Sequence, residues 1–223
     1  MTDPTPARLG RLPGPAVTDP VPPGSVLIVV DVQGGSGVAA DDGIPVMSGP
    51  EERRARVDRI REVVAAARQA EVPVVFIQEV HKPSGVDFGR ELDGAEGVHC
   101  VEDDPATALA DGLGPTEHEF LIRKRRYSAF FATELDLVLR SYRAEAVLLV
   151  GGLTDVCIHY TAVDAHQHDY RIRVLTDCVG GSSREAHDAA LRAVAYLQRD
   201  ALVASDEVLA GFRAGSVAAP LVG

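Results

Sequence analysis

Ala146-Val147-Leu148-Leu149-Val150-Gly151-Gly152-Leu153-Thr154-Asp155-Val156-Cys157 is the stretch whose reading decides the fold. Its five leading apolar residues read as a strand buried on both faces. Gly151-Gly152 then imposes a sharp turn. Thr154 and Asp155 are both residue types that accept backbone N–H bonds at a helix N-cap, so a helix is expected to start there. Cys157 falls in its first turn, where the positive end of the helix dipole favours the nucleophilic thiolate. A buried cysteine is often no more than a small core residue. This one stands on a strand–turn–helix junction, the place where α/β proteins put their chemistry.

Outward from that stretch the same alternation repeats. Ser25–Val30 reads as a first buried strand closed by Asp31, and Val57, Ile60, Val63, Val64 and Ala67 lie at helical spacing in a helix over 51–70. Pro73–Gln78 is the next strand. From 83 to 118 the chain is rich in Gly, Asp and Glu, an irregular excursion with one short helix expected near 105–111, and loops this long tend to be lids or interfaces. A short strand, Glu119–Ile122, runs into Arg123-Lys124-Arg125-Arg126, where strand alternation puts Ile122 and Lys124 on one face. Helices follow over 134–143 and from Cys157 to about Asp169. Then come a strand over 171–176, a helix over 183–199, a strand at 201–204 and a short helix over 206–212. Strands alternating with helices predict a parallel α/β sandwich in one domain, 25–223.

Composition narrows the function. A net charge of −11 argues against nucleic acid and against an anionic membrane surface. No apolar run approaches the roughly 20 residues that cross a bilayer, and prolines interrupt any signal-peptide core near the start. Three widely spaced cysteines without a CxxC fit a reducing cytoplasm better than a disulfide framework or a cysteine zinc site. Residues 1–24 hold seven of the fourteen prolines and read as an extended arm, either disordered or draped over a partner subunit. Gly35, Gly37 and Ala40 match a dinucleotide fingerprint by spacing alone. No amphipathic helix starts there, so nucleotide binding is not expected.

Asp31, Lys124 and Cys157 each stand just past the carboxyl end of a predicted strand, and in a parallel sheet those ends lie along one edge. Their chemistry fits a shared site. Asp31 can accept the thiol proton, a Lys124 ammonium favours thiolate and carboxylate alike, and the turn into the Cys157 helix offers backbone N–H groups to an oxyanion. Attack on a carbonyl carbon, through a thioester, is the reaction such a set suits.

Val29-Val30-Asp31-Val32-Gln33, Lys124-Arg125-Arg126-Tyr127-Ser128-Ala129-Phe130 and Gly152-Leu153-Thr154-Asp155-Val156-Cys157 resemble the cysteine hydrolases of the isochorismatase-like superfamily, over about residues 24–205. That superfamily includes nicotinamidases, N-carbamoylsarcosine amidohydrolase, and biuret and ureidoacrylate hydrolases. The resemblance implies a three-layer α/β/α sandwich with a mostly parallel, Rossmann-like sheet, assembled as homodimers or homotetramers. It implies Asp31 as general base, Lys124 as the charged orienting residue and Cys157 as nucleophile. It further implies a cis Gly152–Leu153 peptide, with the Leu153 and Cys157 N–H groups as oxyanion hole.

Gln33, Tyr127, Phe130, Phe131 and Thr154 are candidates for the substrate pocket. The first block usually continues Asn-Asp-Phe where this chain has Gly34-Gly35-Ser36, so known substrates transfer poorly. Nicotinamidases carry Asp-x-His and a later His-Cys that hold a metal. This chain has Glu79-Val80-His81 and His99-Cys100, which makes Glu79, His81 and His99 the zinc or iron candidates, but without the usual Asp-Trp-His-Pro surroundings. The expectation is therefore a cytoplasmic, cofactor-independent amidohydrolase acting on a small amide, ureide or carbamoyl compound. The alternatives are a metal-assisted nicotinamidase, a vinyl ether hydrolase of the isochorismatase type, and a non-catalytic binding or scaffold protein.

Overall fold

β1 (Ser25–Val30), β2 (Val74–Glu79) and the first six residues of β4 (Ala146–Gly152) are buried at every position. Uninterrupted burial of this kind needs cover on both faces of a sheet, and the computed structural model, which describes residues 19–34 and 44–215, supplies it. Leu27, Val29, Val74, Phe76, Leu148 and Val150 pack on one side against α1 (Pro50–Gln69) and α5 (Ser205–Arg213). Their neighbours Val26, Ile28, Val30, Val75, Ile77, Val147 and Leu149 pack on the other, against α2 (Leu135–Ser141), α3 (His159–Gln167) and α4 (Arg184–Leu197). The result is three layers, α/β/α.

The sheet is parallel throughout. Its order is β3-β2-β1-β4-β5-β6, with β3 at Phe120–Lys124, β5 at Arg171–Gly180 and β6 at Leu202–Val203. After β1 the chain first extends the sheet through β2 and β3, then returns to lay β4 on the other side of β1. The crevice between the carboxyl ends of β1 and β4 is thus the topological switch point, where open α/β sheets bind ligands. Gly151 brings these two strands together. Its φ is +119°, and a Cβ there would stand 1.9 Å from the Val30 carbonyl oxygen, so only glycine fits.

Several expectations change in detail. The excursion over 83–118 holds two 3-10 turns, Glu91–Asp93 and Pro105–Thr107, rather than a helix at 105–111, because Pro105 opens a turn that closes at Ala108. β5 runs on through Asp177-Cys178 to Gly180, with a register shift against β4 between Leu149 and Gly151. Thr154 and Asp155 do not cap a helix. The carboxylate of Asp155 accepts from the Ser182 backbone at 2.8 Å and from its hydroxyl at 2.5 Å. Cys157 lies in a π-helical turn, Thr154–Ile158, that precedes α3, with the Ile158 N–H reaching back to Leu153 O at 3.0 Å.

Most of the proline-rich arm, residues 1–18, lies outside the described residues, as do the glycine-rich run at 35–43 and the tail at 216–223. The described end of the arm folds back on its own chain. Val21 is fully buried in the core, Asp19 O accepts from Arg173, and Ser25 Oγ donates to Pro22 O at 2.6 Å. Among the described residues no helix is long and apolar enough to cross a membrane.

Candidate active site

Four side chains meet at the carboxyl edge of the sheet. Asp31 follows β1 in a left-handed conformation (φ 51°), a region that aspartate tolerates better than most residues. Glu79 ends β2 and Lys124 ends β3, paired in register across the ladder. Cys157 follows β4. The alternation that buries Ile122 buries Lys124 too, to 1% exposure, so one member of an otherwise exposed or half-buried basic run is turned inward. Its Nζ lies 2.8 Å from Asp31 Oδ2 and 3.3 Å from Cys157 Sγ, and it also donates to Glu79 Oε2. Cys157 Sγ is 3.7 Å from that same Glu79 oxygen.

Electrostatics follow from burial. Desolvation raises Asp31 to a pKa of about 6, opposed by the Lys124 ammonium and assisted by Glu79. Asp31 Oδ2 lies against the Lys124 ammonium at 2.8 Å and the carboxyl group also faces the Cys157 thiol, a position from which it can take the thiol proton. Burial works against the charge of Glu79, but Lys124, His81 and His99 outweigh it and hold that carboxylate well below its usual range. Burial likewise opposes the Lys124 charge; Asp31, the Cys157 sulfur and Glu79 together keep the ammonium well above its usual value. Cys157 moves opposite to expectation. Burial pushes its thiol up, Lys124 only partly offsets this, and the two carboxylates add to it. The resting residue is a thiol with a carboxylate beside it, not a standing thiolate.

A cavity of about 330 Å³ opens onto this edge. Asp31, Gln33, Tyr127, Leu153 and Cys157 line it, as does Glu79. The peptide between Gly152 and Leu153 is cis. Three pocket candidates are corrected. Thr154 is buried, with its Oγ1 2.8 Å from His187 Nδ1. Phe130 is half-buried and stacks on His168 and Tyr170, off the cavity lining, and Phe131 is 61% exposed, because the chain turns away from the sheet edge after Ser128. Gln33 reaches the cavity, but its amide is spent on scaffolding. It donates to Glu79 O and Thr107 O and accepts from the Glu79 N–H, tying β1, β2 and the long excursion together.

The metal candidates also come together, joined by Glu91, which the sequence did not single out. Ligand atoms of Glu79, His81, Glu91 and His99 all lie within 4.8 Å of one another, and all four residues are buried. His99 Nε2 is 2.8 Å and His81 Nε2 3.3 Å from Glu79 Oε1, with His81 Nε2 3.2 Å from Glu91. Both Glu91 oxygens are buried without an aligned hydrogen bond. Two imidazoles and two carboxylates, one with spare lone pairs, are a donor set that zinc or iron accepts.

Sequence order could have pointed to Glu79 as a fourth member of the catalytic cluster, since it ends a strand as Asp31 does. Nothing local marks Glu91, which sits on a 3-10 turn inside the irregular excursion.

The fold is that of the isochorismatase-like cysteine hydrolase superfamily. The isochorismatase domain matches residues 25–207, and the chain belongs to that family. It is 31% identical to the ureidoacrylate amidohydrolase RutB of Methylobacterium radiotolerans over 209 residues, covering 82% of this chain and 79% of that one. A maleamate amidohydrolase from Pseudomonas putida is 38% identical over 91 residues, spanning 41% of this chain and 43% of its own. Among solved structures, a cysteine hydrolase from Pseudomonas syringae pv. phaseolicola superposes with a TM-score of 0.76 at 24% identity, covering 92% of this chain and all of that one.

Proposed function

We propose that the protein is a cysteine-dependent amidohydrolase that cleaves a small amide, ureide or carbamoyl C–N bond through a thioester. Its relatives support the amidohydrolase class. The observation that carries the finer reading is Lys124 Nζ, 2.8 Å from Asp31 and 3.3 Å from Cys157. Asp31, with a pKa of about 6, is ionised at neutral pH yet basic enough to take the thiol proton when substrate arrives. Cys157 Sγ then bonds to the carbonyl carbon, and the oxyanion rests on the Leu153 and Cys157 N–H groups. As the C–N bond breaks, Asp31 returns the proton to the departing nitrogen. A water, deprotonated by Asp31, next attacks the thioester carbon; the C–S bond breaks and the thiol is restored. Lys124 stays charged throughout, holding Asp31 and Glu79 in place and offsetting the thiolate that forms transiently.

This sequence of steps needs no metal. Glu79, His81, Glu91 and His99 nonetheless fit a divalent ion, and such an ion would supply a Lewis-acidic point on the cavity wall for a polar atom of the substrate. Ammonia release from a panel of ureides, carbamoyl compounds and aromatic amides, compared between the parent and Cys157→Ala, tests the proposal. Release lost on substitution supports it and names the substrate class. Release that survives would overturn it.

A further inference from the structure

The turn that carries the nucleophile owes its shape to side chains with no part in the steps above. In an α-helix the Cys157 N–H would bond the carbonyl four residues back, Leu153 O. Here that oxygen accepts instead from Val156 at 3.2 Å and, one residue beyond the α-helical register, from Ile158 at 3.0 Å. The π turn over Thr154–Ile158 thus engages Leu153 O without using Cys157. An N–H kept out of that bond is what an oxyanion donor requires. π turns are rare local structures, and among the described residues no side chain caps the start of this one. Its support has to come from elsewhere in the fold.

The connection between β5 and α4 supplies it. Asp155 accepts from both the backbone N–H and the hydroxyl of Ser182. Thr154 Oγ1 lies 2.8 Å from His187 Nδ1, and both residues are buried. His187 is itself fixed in the first turn of α4. Its N–H bonds Ser183 O at 2.9 Å, and Ser183 caps the helix by accepting from the Ala186 N–H. Gly181 passes between the two pairs with no room for a side chain, since a Cβ there would stand 2.6 Å from Asp155 Oδ1 and 2.9 Å from His187 Cβ. Two consecutive residues of the π turn are therefore tied to one short stretch of chain, while the sulfur is placed separately, against Lys124 and Glu79.

We infer that Thr154 and Asp155, anchored by His187 and Ser182, are positioning residues that hold the turn in its π register and so keep the Cys157 N–H available to the oxyanion. The inference rests on the amidohydrolase reading, because attack on a carbonyl is what creates that oxyanion. Loss of the brace should then cost oxyanion stabilisation rather than the reactivity of the thiol, which Asp31 and Lys124 govern.

Two probes separate these effects. p-Nitrophenyl acetate acylates Cys157 through a tetrahedral oxyanion: the Sγ–C bond forms, p-nitrophenolate leaves and the thiol proton passes to Asp31. Iodoacetamide alkylates the same sulfur by displacing iodide, with the proton again going to Asp31, and no oxyanion arises. Both rates are measured for the parent, Thr154→Val, Thr154→Ser, Asp155→Ala and Asp155→Asn, with Cys157→Ala as background and peptide mass mapping to assign the adduct. Acylation is expected to fall about 10- to 100-fold in Thr154→Val and Asp155→Ala, the scale of a misplaced oxyanion donor, with alkylation near the parent rate. Thr154→Ser and Asp155→Asn keep a hydrogen-bonding group in place and should recover most of the acylation. On the amide that the parent cleaves fastest, the same variants should lose kcat rather than raise KM. The two positions test the brace independently, so either suffices if a variant at the other does not fold. Acylation and alkylation falling together, or neither falling, overturns the inference; ammonia release that still depends on Cys157 in the parent then leaves the amidohydrolase reading intact. A parent in which neither acylation nor ammonia release depends on Cys157 removes that reading, and the inference with it.

Discussion

Lys124 carries more of the site than its position in a basic run suggests. Its ammonium is buried between two carboxylates and a thiol, so removing it strands Asp31 and Glu79 in a dry environment. Breaking one partner out of a buried ionic cluster costs about 3–5 kcal/mol, and Lys124→Met is expected to lose stability on that scale in urea unfolding as well as activity. Cys157→Ala is the milder change structurally. It should unfold near the parent midpoint while hydrolysis falls by at least about 10⁴-fold, the scale seen when a covalent nucleophile is deleted. If Asp31 is the base, as proposed, it sets the pH profile. A base must be ionised to take the thiol proton, and burial has raised this one to about 6. The logarithm of kcat/KM is therefore expected to decline with unit slope as pH drops below about 6, and to level off above it. A profile flat down to pH 4.5 would remove Asp31 from the role of base.

Strand ends and their turns are what bring these residues into one place. β1 and β4 touch through Val30 and Gly151, and the left-handed φ of Gly151 lets the chain leave the sheet toward Cys157. Gly151→Ala meets both obstacles at once, a Cβ against the Val30 carbonyl and an unfavourable φ. The expected cost is about 2–4 kcal/mol, read as a lowered thermal midpoint, with activity lost beyond what the unfolded fraction explains. The pair of glycines was already visible in the sequence as a turn. What it could not convey was that Asp155 would bond to Ser182 instead of capping a helix, because Ser182 lies on a loop 27 residues away. The same limit applies to Phe130 and Phe131. Adjacent to the Lys124 block, they were candidates for the pocket, yet stacking on His168 and Tyr170, in the turn between α3 and β5, holds one half-buried away from the cavity and the other stays at the surface.

At the scale of the whole molecule, the sheet edge is completed by the excursion over 83–118. Gln33 bonds to Thr107, His81 pairs with Val101 through an isolated bridge, and His99 and Glu91 fold back over Glu79. If the four-residue cluster binds zinc, the ion links β2 to that excursion and stabilises the whole fold, by about 2.7 kcal/mol at a hundredfold excess over Kd. The expected outcome is a rise in the thermal midpoint on adding zinc to the chelated protein, lost in Glu91→Ala. An unchanged midpoint, with no zinc retained by elemental analysis, would leave the cluster as a hydrogen-bonded brace.

The parallel three-layer fold and the candidate nucleophile were legible in the sequence, because both depend on short-range patterns. Unbroken apolar runs mark strands buried on two faces, and strand–turn–helix junctions mark the edge where polar residues collect. Asp31, Lys124 and Cys157 could be chosen on that ground before any coordinates. The protonation of the site could not, since it depends on how deeply the thiol is buried and on Glu79 entering from a neighbouring strand. Nor could the Glu91 contribution. Local sequence shows it only as an ordinary surface-type charge on a loop. Tertiary packing alone decides which charges lose their water and which partners they then face.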